Sequence, residues 1–274
     1  MTISARKITQ LIERAESGQI MECDLDAFLE HPQLWRKPLF ADPLSRSVVT
    51  LRNAQVFWQT VYDDLLGAGT VTVPPLPMIT EKQMKSIDRF NFLLMYIPPL
   101  IEDQYPEGFV KPAWRKHLVG STFTPMLLKS TWVAVETIMK PHKDDPKGYP
   151  DDRLMAALKR PSRRNTSSDE IVNGLLTEIS RATGFPRKGT RLPSLAEWNF
   201  IGNLMQWLYD HREMDLPRLG STRSWEWCQD APSDDFRLVI GSSEHGGLAA
   251  VGSGWREGPH GQRDDNGFRL LVDL

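Results

Sequence analysis

The groups most able to do chemistry are two thiols and six imidazoles. Cys23 and Cys228 lie far apart in sequence, so a secreted, disulfide-dense scaffold is excluded and a reduced, intracellular chain is expected. His31, His117, His142, His211, His245 and His260 include no H-x-x-x-H pair, so no helix presents two imidazoles to one metal ion. The chain has no P-loop, no G-x-S-x-G and no G-x-G-x-x-G, which removes the phosphate cradle, the nucleophile elbow and the dinucleotide turn. Asp264-Asp265-Asn266-Gly267 is acidic but lacks the spacing of a calcium loop, and reads as a solvated turn.

Two further sets could recognise a partner. Lys159, Arg160, Arg163 and Arg164, with Arg181, Arg187, Lys188 and Arg191, are numerous enough for a phosphate-binding patch, or are simply an exposed loop and helix face. Between Gln229 and Asn266, Gly-rich chain carries Asp230, Asp234, Asp235, Glu244, His245, Trp255, Arg256, His260 and Arg263. Arg and Trp are the side chains that anchor protein interfaces, and loops between glycines leave them free to do so.

The elements that must position these groups are legible in part. Apolar spacing predicts helices over Ile3–Glu16 and Asp24–Glu30, while Ser47–Leu66 is β-branched at first and helical in period later. Thr70–Val73 is a candidate strand. Three capping boxes mark helix starts: Thr80 to Gln83, Ser167 to Glu170 and Ser194 to Glu197. The first opens a helix expected from Glu81 to Leu94, and the second a helix closed by Gly184. The third opens a helix with Trp198, Ile201, Met205 and Leu208 on one face. Lys129–Met139 reads as a strand, and Lys159–Asn165 as exposed chain. After Gly220 the pattern changes to short apolar pieces, Phe236–Ile240, Leu248–Val251 and Phe268–Val272. Trp225 and Trp227 share a strand face, with Glu226 on the other, and Arg269 faces away from Phe268 and Leu270. Trp198, Trp225, Trp227 and Phe268 are the expected core aromatics, with Glu226 and Arg269 as internal ion-pair candidates.

The order of three motifs carries a resemblance. Arg191-Leu192-Pro193-Ser194-Leu195-Ala196-Glu197-Trp198, then Ser224-Trp225-Glu226-Trp227-Cys228, then Gly267-Phe268-Arg269-Leu270-Leu271 resemble the R-L-P-T-x-A-E-W-E, N-V-W-E-W-C and closing G-F-R motifs of the formylglycine-generating-enzyme family. The likeness covers about Ser167 to Leu274, and residues before about Lys111 match nothing. In look the chain is closest to that family's variable target proteins of diversity-generating retroelements, through Tyr149-Pro150-Asp151-Asp152, the tryptophan motif, and Leu238–Ser243 with Gly246-Gly247-Leu248. The family's oxidase binds copper(I) through two adjacent cysteines. That pair is missing, and Cys228 occupies a position that is structural in the family. The family's structural calcium site uses the Asn and Glu of the tryptophan motif. Glu226 is present, but Arg223 stands at the Asn position, where a cation repels calcium.

The resemblance implies an α+β fold, with a C-type-lectin-like domain of the formylglycine-generating-enzyme type over 111–274 after a mostly helical region over 1–110. It implies a non-catalytic ligand-binding protein without a cofactor, in which Arg223, Gln229, Asp230, Ser253, Trp255, Arg256, Glu257, His260 and Arg263 gather on one exposed surface. The ligand expected is a protein or peptide, with a glycan second. An enzyme of the same fold with non-thiol chemistry, and a structural role in a phage particle, are the alternatives. A net charge of -2 gives no whole-protein field for nucleic acid. No apolar run is long enough for a membrane span and no signal peptide is evident, so the expected place is the cytoplasm or a phage particle.

Overall fold

The computed structural model describes residues 43–113, 128–145, 148–255 and 264–274. The helices expected over Ile3–Glu16 and Asp24–Glu30, and Cys23, lie outside the described residues. Residues Ser47–Leu274 form one compact unit.

The fold is α+β, with two four-stranded sheets. In chain order the described residues form helix α1 (Pro43–Leu66), helix α2 (Glu81–Arg89), strands β1 (Phe92–Ile97) and β2 (Thr131–Glu136), and the short helix α3 (Arg153–Ala157). Helix α4 then runs from Ser168–Glu170 through a π-helical turn, Ile171–Leu175, to Leu176–Thr183. Next come β3 (Thr190–Arg191), helix α5 (Leu195–Arg212), β4 (Trp225–Trp227) and β5 (Phe236–Ile240). Two single 3-10 turns, Ser243–His245 and Gly247–Ala249, lead to β6 (Val251–Trp255), β7 (Asn266–Phe268) and β8 (Leu271–Asp273). The first sheet has the order β1-β2-β8-β3 and is antiparallel. The second has the order β6-β5-β4-β7, with β4 and β7 parallel.

All three capping boxes form, at Thr80, Ser167 and Ser194, and Gly184 ends α4 in the left-handed region at φ 78°. Helix α2 stops at Arg89, short of the expected Leu94. Asn91 takes φ 56°, and Phe92–Ile97 then pairs with β2 along its whole length, from Phe92 opposite Glu136 to Ile97 opposite Thr131. Ladder pairing overrides the helical continuation expected through Leu94. Strand β1 is built into a sheet with β2 and β8, within the unit Ser47–Leu274. Ser47–Leu66 is helical, and Thr70–Val73 forms no strand.

The outer edge of β1 is closed by α1. Trp58 Nε1 donates to Leu94 O at 2.9 Å, and the Tyr62 hydroxyl donates to Tyr96 O. Two aromatic side chains thus satisfy edge carbonyls that would otherwise recruit another strand. Helix α5 is buried at every residue from Leu195 to Met205, not on one face. Its polar members have partners: Asn199 Nδ2 donates to Leu248 O at 2.8 Å, and Asn203 Oδ1 accepts from Val110 N at 2.7 Å. Among the described residues no helix is long and apolar enough to cross a membrane.

Candidate functional site

The three motifs meet in the core. Glu226, at the centre of β4, is fully buried, and both its oxygens are engaged. One accepts from the Tyr149 hydroxyl at 2.8 Å and from Arg269 Nη2 at 3.1 Å, and the other from Trp198 Nε1 at 2.6 Å and Arg269 Nε at 3.2 Å. The tryptophan motif, the α5 motif and the closing strand motif are therefore tied by one carboxylate. Burial alone would raise the Glu226 pKa, but Arg269 and Lys140 outweigh it and hold the carboxyl below its ordinary range. Trp198, Trp227 and Phe268 are buried as expected, and Trp225 is half-buried at the edge of the same cluster.

A second buried pair lies next to the first. Arg163 donates to both oxygens of Glu136, at 2.6 and 2.8 Å, and to both of Asp152, at 2.6 and 2.9 Å. Arg269 Nη1 donates to Glu136 O at 2.5 Å, which joins the two pairs. Arg163 is 1% exposed, so the expectation of an exposed Lys159–Asn165 fails at this residue. Its carboxylate partners lie 27 and 11 positions earlier, beyond any local pattern. Arg191 pairs with Glu197 at 2.7 Å and with Asp273 of β8 at 2.7 Å.

Lys140 completes the buried set at 4% exposure. Its ammonium donates to Leu219 O at 3.0 Å and Gly241 O at 2.6 Å, fastening the chain before β4 to the chain after β5. Burial, with Arg269, pulls its pKa down to about 7 against the upward pull of Glu226.

Above this frame three loops converge. Lys143 Nζ reaches Glu244 at 3.0 Å, Arg223 Nε reaches the same carboxylate at 3.4 Å, and Arg223 Nη1 lies 3.6 Å from Asp144. The His245 ring sits 5.1 Å from the Trp225 ring. Arg164 holds the 142–145 loop in place by donating to the backbone oxygens of His142, Lys143 and Asp145. Arg223, Asp144, Glu244 and His245 are exposed, a mixed-charge surface with an aromatic edge. Glu244 and His245 were visible in the sequence as loop residues. That Lys143 and Asp144 join them was not, because their loop is some eighty positions away from β4.

The other expected site residues are placed differently. Gln229 and Asp230 follow β4 at its far end, across the strand from Arg223. Gln229 is exposed, but a side-chain oxygen of Asp230 accepts from Leu195 N at 2.5 Å, so this carboxylate caps the start of α5. Ser253 is exposed on β6 opposite Leu238. Trp255 is described by its backbone alone, as the last residue of β6. Arg256, Glu257, His260 and Arg263 lie outside the described residues. Cys228 is a free, fully buried thiol, pushed up by burial and by Asp230. Among the described residues no group of three or more His, Cys, Asp or Glu is gathered to hold a metal ion. No protein-family model, no curated protein and no solved structure matches the chain.

Proposed function

We propose that the chain is a non-catalytic ligand-binding protein, a C-type-lectin-like scaffold of the formylglycine-generating-enzyme type that presents a binding surface on its C-terminal loops. Within that family the chain resembles the variable target proteins of diversity-generating retroelements, through Tyr149-Pro150-Asp151-Asp152, the tryptophan motif, and Leu238–Ser243 with Gly246-Gly247-Leu248. The observation that carries the reading is the contact between Arg269 and Glu226, 43 positions apart and both buried. It locks the two ends of the C-terminal region together, so the loops between them can differ in sequence without loosening the fold. Arg223, Glu244 and His245 stand on that frame with Lys143 and Asp144 beside them. Arg and aromatic groups with both signs of charge suit a protein or peptide partner ahead of a glycan.

The test is a selection of a random displayed peptide library against the immobilised protein, with a glycan array in parallel. Enrichment of peptides that compete with one another for a single site supports the proposal. Failure of both libraries to yield any saturable binder contradicts it. The gene tests the retroelement likeness separately: a near-copy repeat of its 3′ end beside a reverse-transcriptase gene is expected, and its absence removes that part.

A further inference from the structure

The basic residues singled out in the sequence divide sharply in the structure. Arg163 is buried between two carboxylates, Arg191 and Arg160 are paired with carboxylates, and Arg164 is engaged by loop carbonyls. Arg181, Arg187 and Lys188 remain exposed at and beyond the C-terminal end of α4, and none of them takes part in an ion pair among the described residues. Helix α2 packs against this end: Lys82 Nζ donates to Arg181 O at 3.3 Å, and Ser86 Oγ donates to Thr183 O at 2.6 Å. Lys82, Ser86 and Arg89 share one stripe of α2, and seven residues of helix place Lys82 and Arg89 about 10 Å apart. Lys82 and Arg89 are likewise exposed and outside any ion pair among the described residues. Helix α2, the end of α4 and the turn that follows it thus carry five exposed cations, with Lys82 seated on the last turn of α4.

Helix C-termini attract cations, which offers a purely structural explanation for the cluster. Magnitudes decide against that explanation as the whole cause. The C-terminal ends of α2 and α4 carry about half a negative charge each. Glu81 and Glu178 are held by Lys85 and Arg160, Asp169 lies beside Arg237 and Glu170 closes its capping box at the far end of α4, which leaves Asp88 on α2, while Arg191 with Glu197 and Asp273 carries one net negative charge beside Gly189. Five cations against Asp88, the net negative charge of the Arg191 cluster and about one unit of helix dipole leave a surplus of about two positive charges. The whole-chain charge of -2 does not cancel it locally, since fields are screened beyond about 8–10 Å at physiological salt. Arg187 adds charge alone, because its donors go to Thr177, Thr190 and Val172. Lys188 and Arg181 make no side-chain hydrogen bond among the described residues, and their donors face solvent.

We propose that this surface, formed by Lys82, Arg89, Arg181, Arg187 and Lys188, binds the phosphate backbone of a nucleic acid, read as charge and not as sequence. A protein partner or a membrane would need apolar anchors, and the large apolar side chains exposed among the described residues are Val56, Met78, Val110, Met139 and Tyr209. Only Met78, two residues before the Thr80 cap, adjoins α2, and one methionine is a small anchor for either. The surface does not depend on the loop-borne site proposed above.

The experiment is fluorescence anisotropy of a labelled mixed-sequence single-stranded oligonucleotide with the whole chain, titrated with salt. About four phosphate contacts predict an affinity about 50-fold weaker at ~200 mM than at ~50 mM salt. Arg181→Glu with Lys188→Glu is expected to weaken binding by at least about tenfold with an unchanged melting temperature, and Met78→Ser to leave it unaltered. If the charge-reversed protein does not fold, Arg181→Gln with Lys188→Gln makes the same comparison. No saturable binding at low salt overturns the proposal, as does binding insensitive to either double substitution. Binding to phosphatidylserine vesicles that is lost in Met78→Ser, without oligonucleotide binding, assigns the surface to a membrane and also overturns it.

Discussion

Removing one partner of the Glu226–Arg269 pair leaves a charge in the core without its counter-ion. Such a loss costs about 3–5 kcal/mol, whereas an exposed substitution usually falls within about 0.5 kcal/mol. Glu226→Gln is therefore expected to lower the unfolding free energy by about 3–5 kcal/mol in urea denaturation, and Arg223→Ala to change it by about 0.5 kcal/mol or less. Equal losses from the two would contradict the division between frame and surface. Lys140 gives a pH signature. Its pKa is about 7 when folded and about 10.4 when unfolded. Between these values the unfolded chain binds more protons, so Lys140 makes stability rise with pH across that window, and it adds no slope below about 7. Lys140→Met is expected to flatten that rise in melting temperatures measured from about pH 7 to about pH 10. A mutant curve parallel to the wild type would refute it. At this scale the sequence disclosed Glu226 and Arg269 as ion-pair candidates, because a charged residue between apolar neighbours in a strand must face inward or outward as a unit. It concealed Arg163, since nothing local in a basic run identifies the one member that will be buried.

At the scale of elements, the legible features were those coded within a few residues. The three capping boxes, the Gly184 stop and the bounds of β5 are local and were readable. Strand β1 and the separation of β7 from β8 depend on distant partners, and so were hidden behind plausible continuations of the neighbouring pattern. The all-round burial of α5 was hidden for the same reason, its asparagines being matched by chain some 50 to 90 positions away. Ser194 offers a test of a readable feature: Ser194→Ala is expected to cost about 1 kcal/mol, read as a lowered denaturation midpoint. Gly254 tests an unreadable one. The Trp227 ring crosses β5 and lies 2.5 Å from where a Gly254 Cβ would stand. Gly254→Ala is expected to destabilise by about 1–3 kcal/mol through overpacking, and a neutral result would mean the ring is free to move.

At the largest scale, Ser47–Leu274 is an α+β unit whose two sheets and buried helix α5 hold a chain of charged groups running from Asp152 through Arg163, Glu136 and Arg269 to Glu226. The motif resemblance anticipated which segments would meet, and the α+β class with it. It did not anticipate that the 142–145 loop joins Arg223 and Glu244, or that Asp230 serves the start of α5. The most direct measurement is the equilibrium affinity of a library-selected peptide for the wild type and for an Arg223→Ala, Glu244→Ala, His245→Ala variant, with melting temperatures taken alongside. A loop surface on an independent frame predicts that the triple variant melts within a few degrees of the wild type and binds the peptide at least about tenfold more weakly, a change of ~1.4 kcal/mol or more. Undiminished binding by a fully folded triple variant would contradict it.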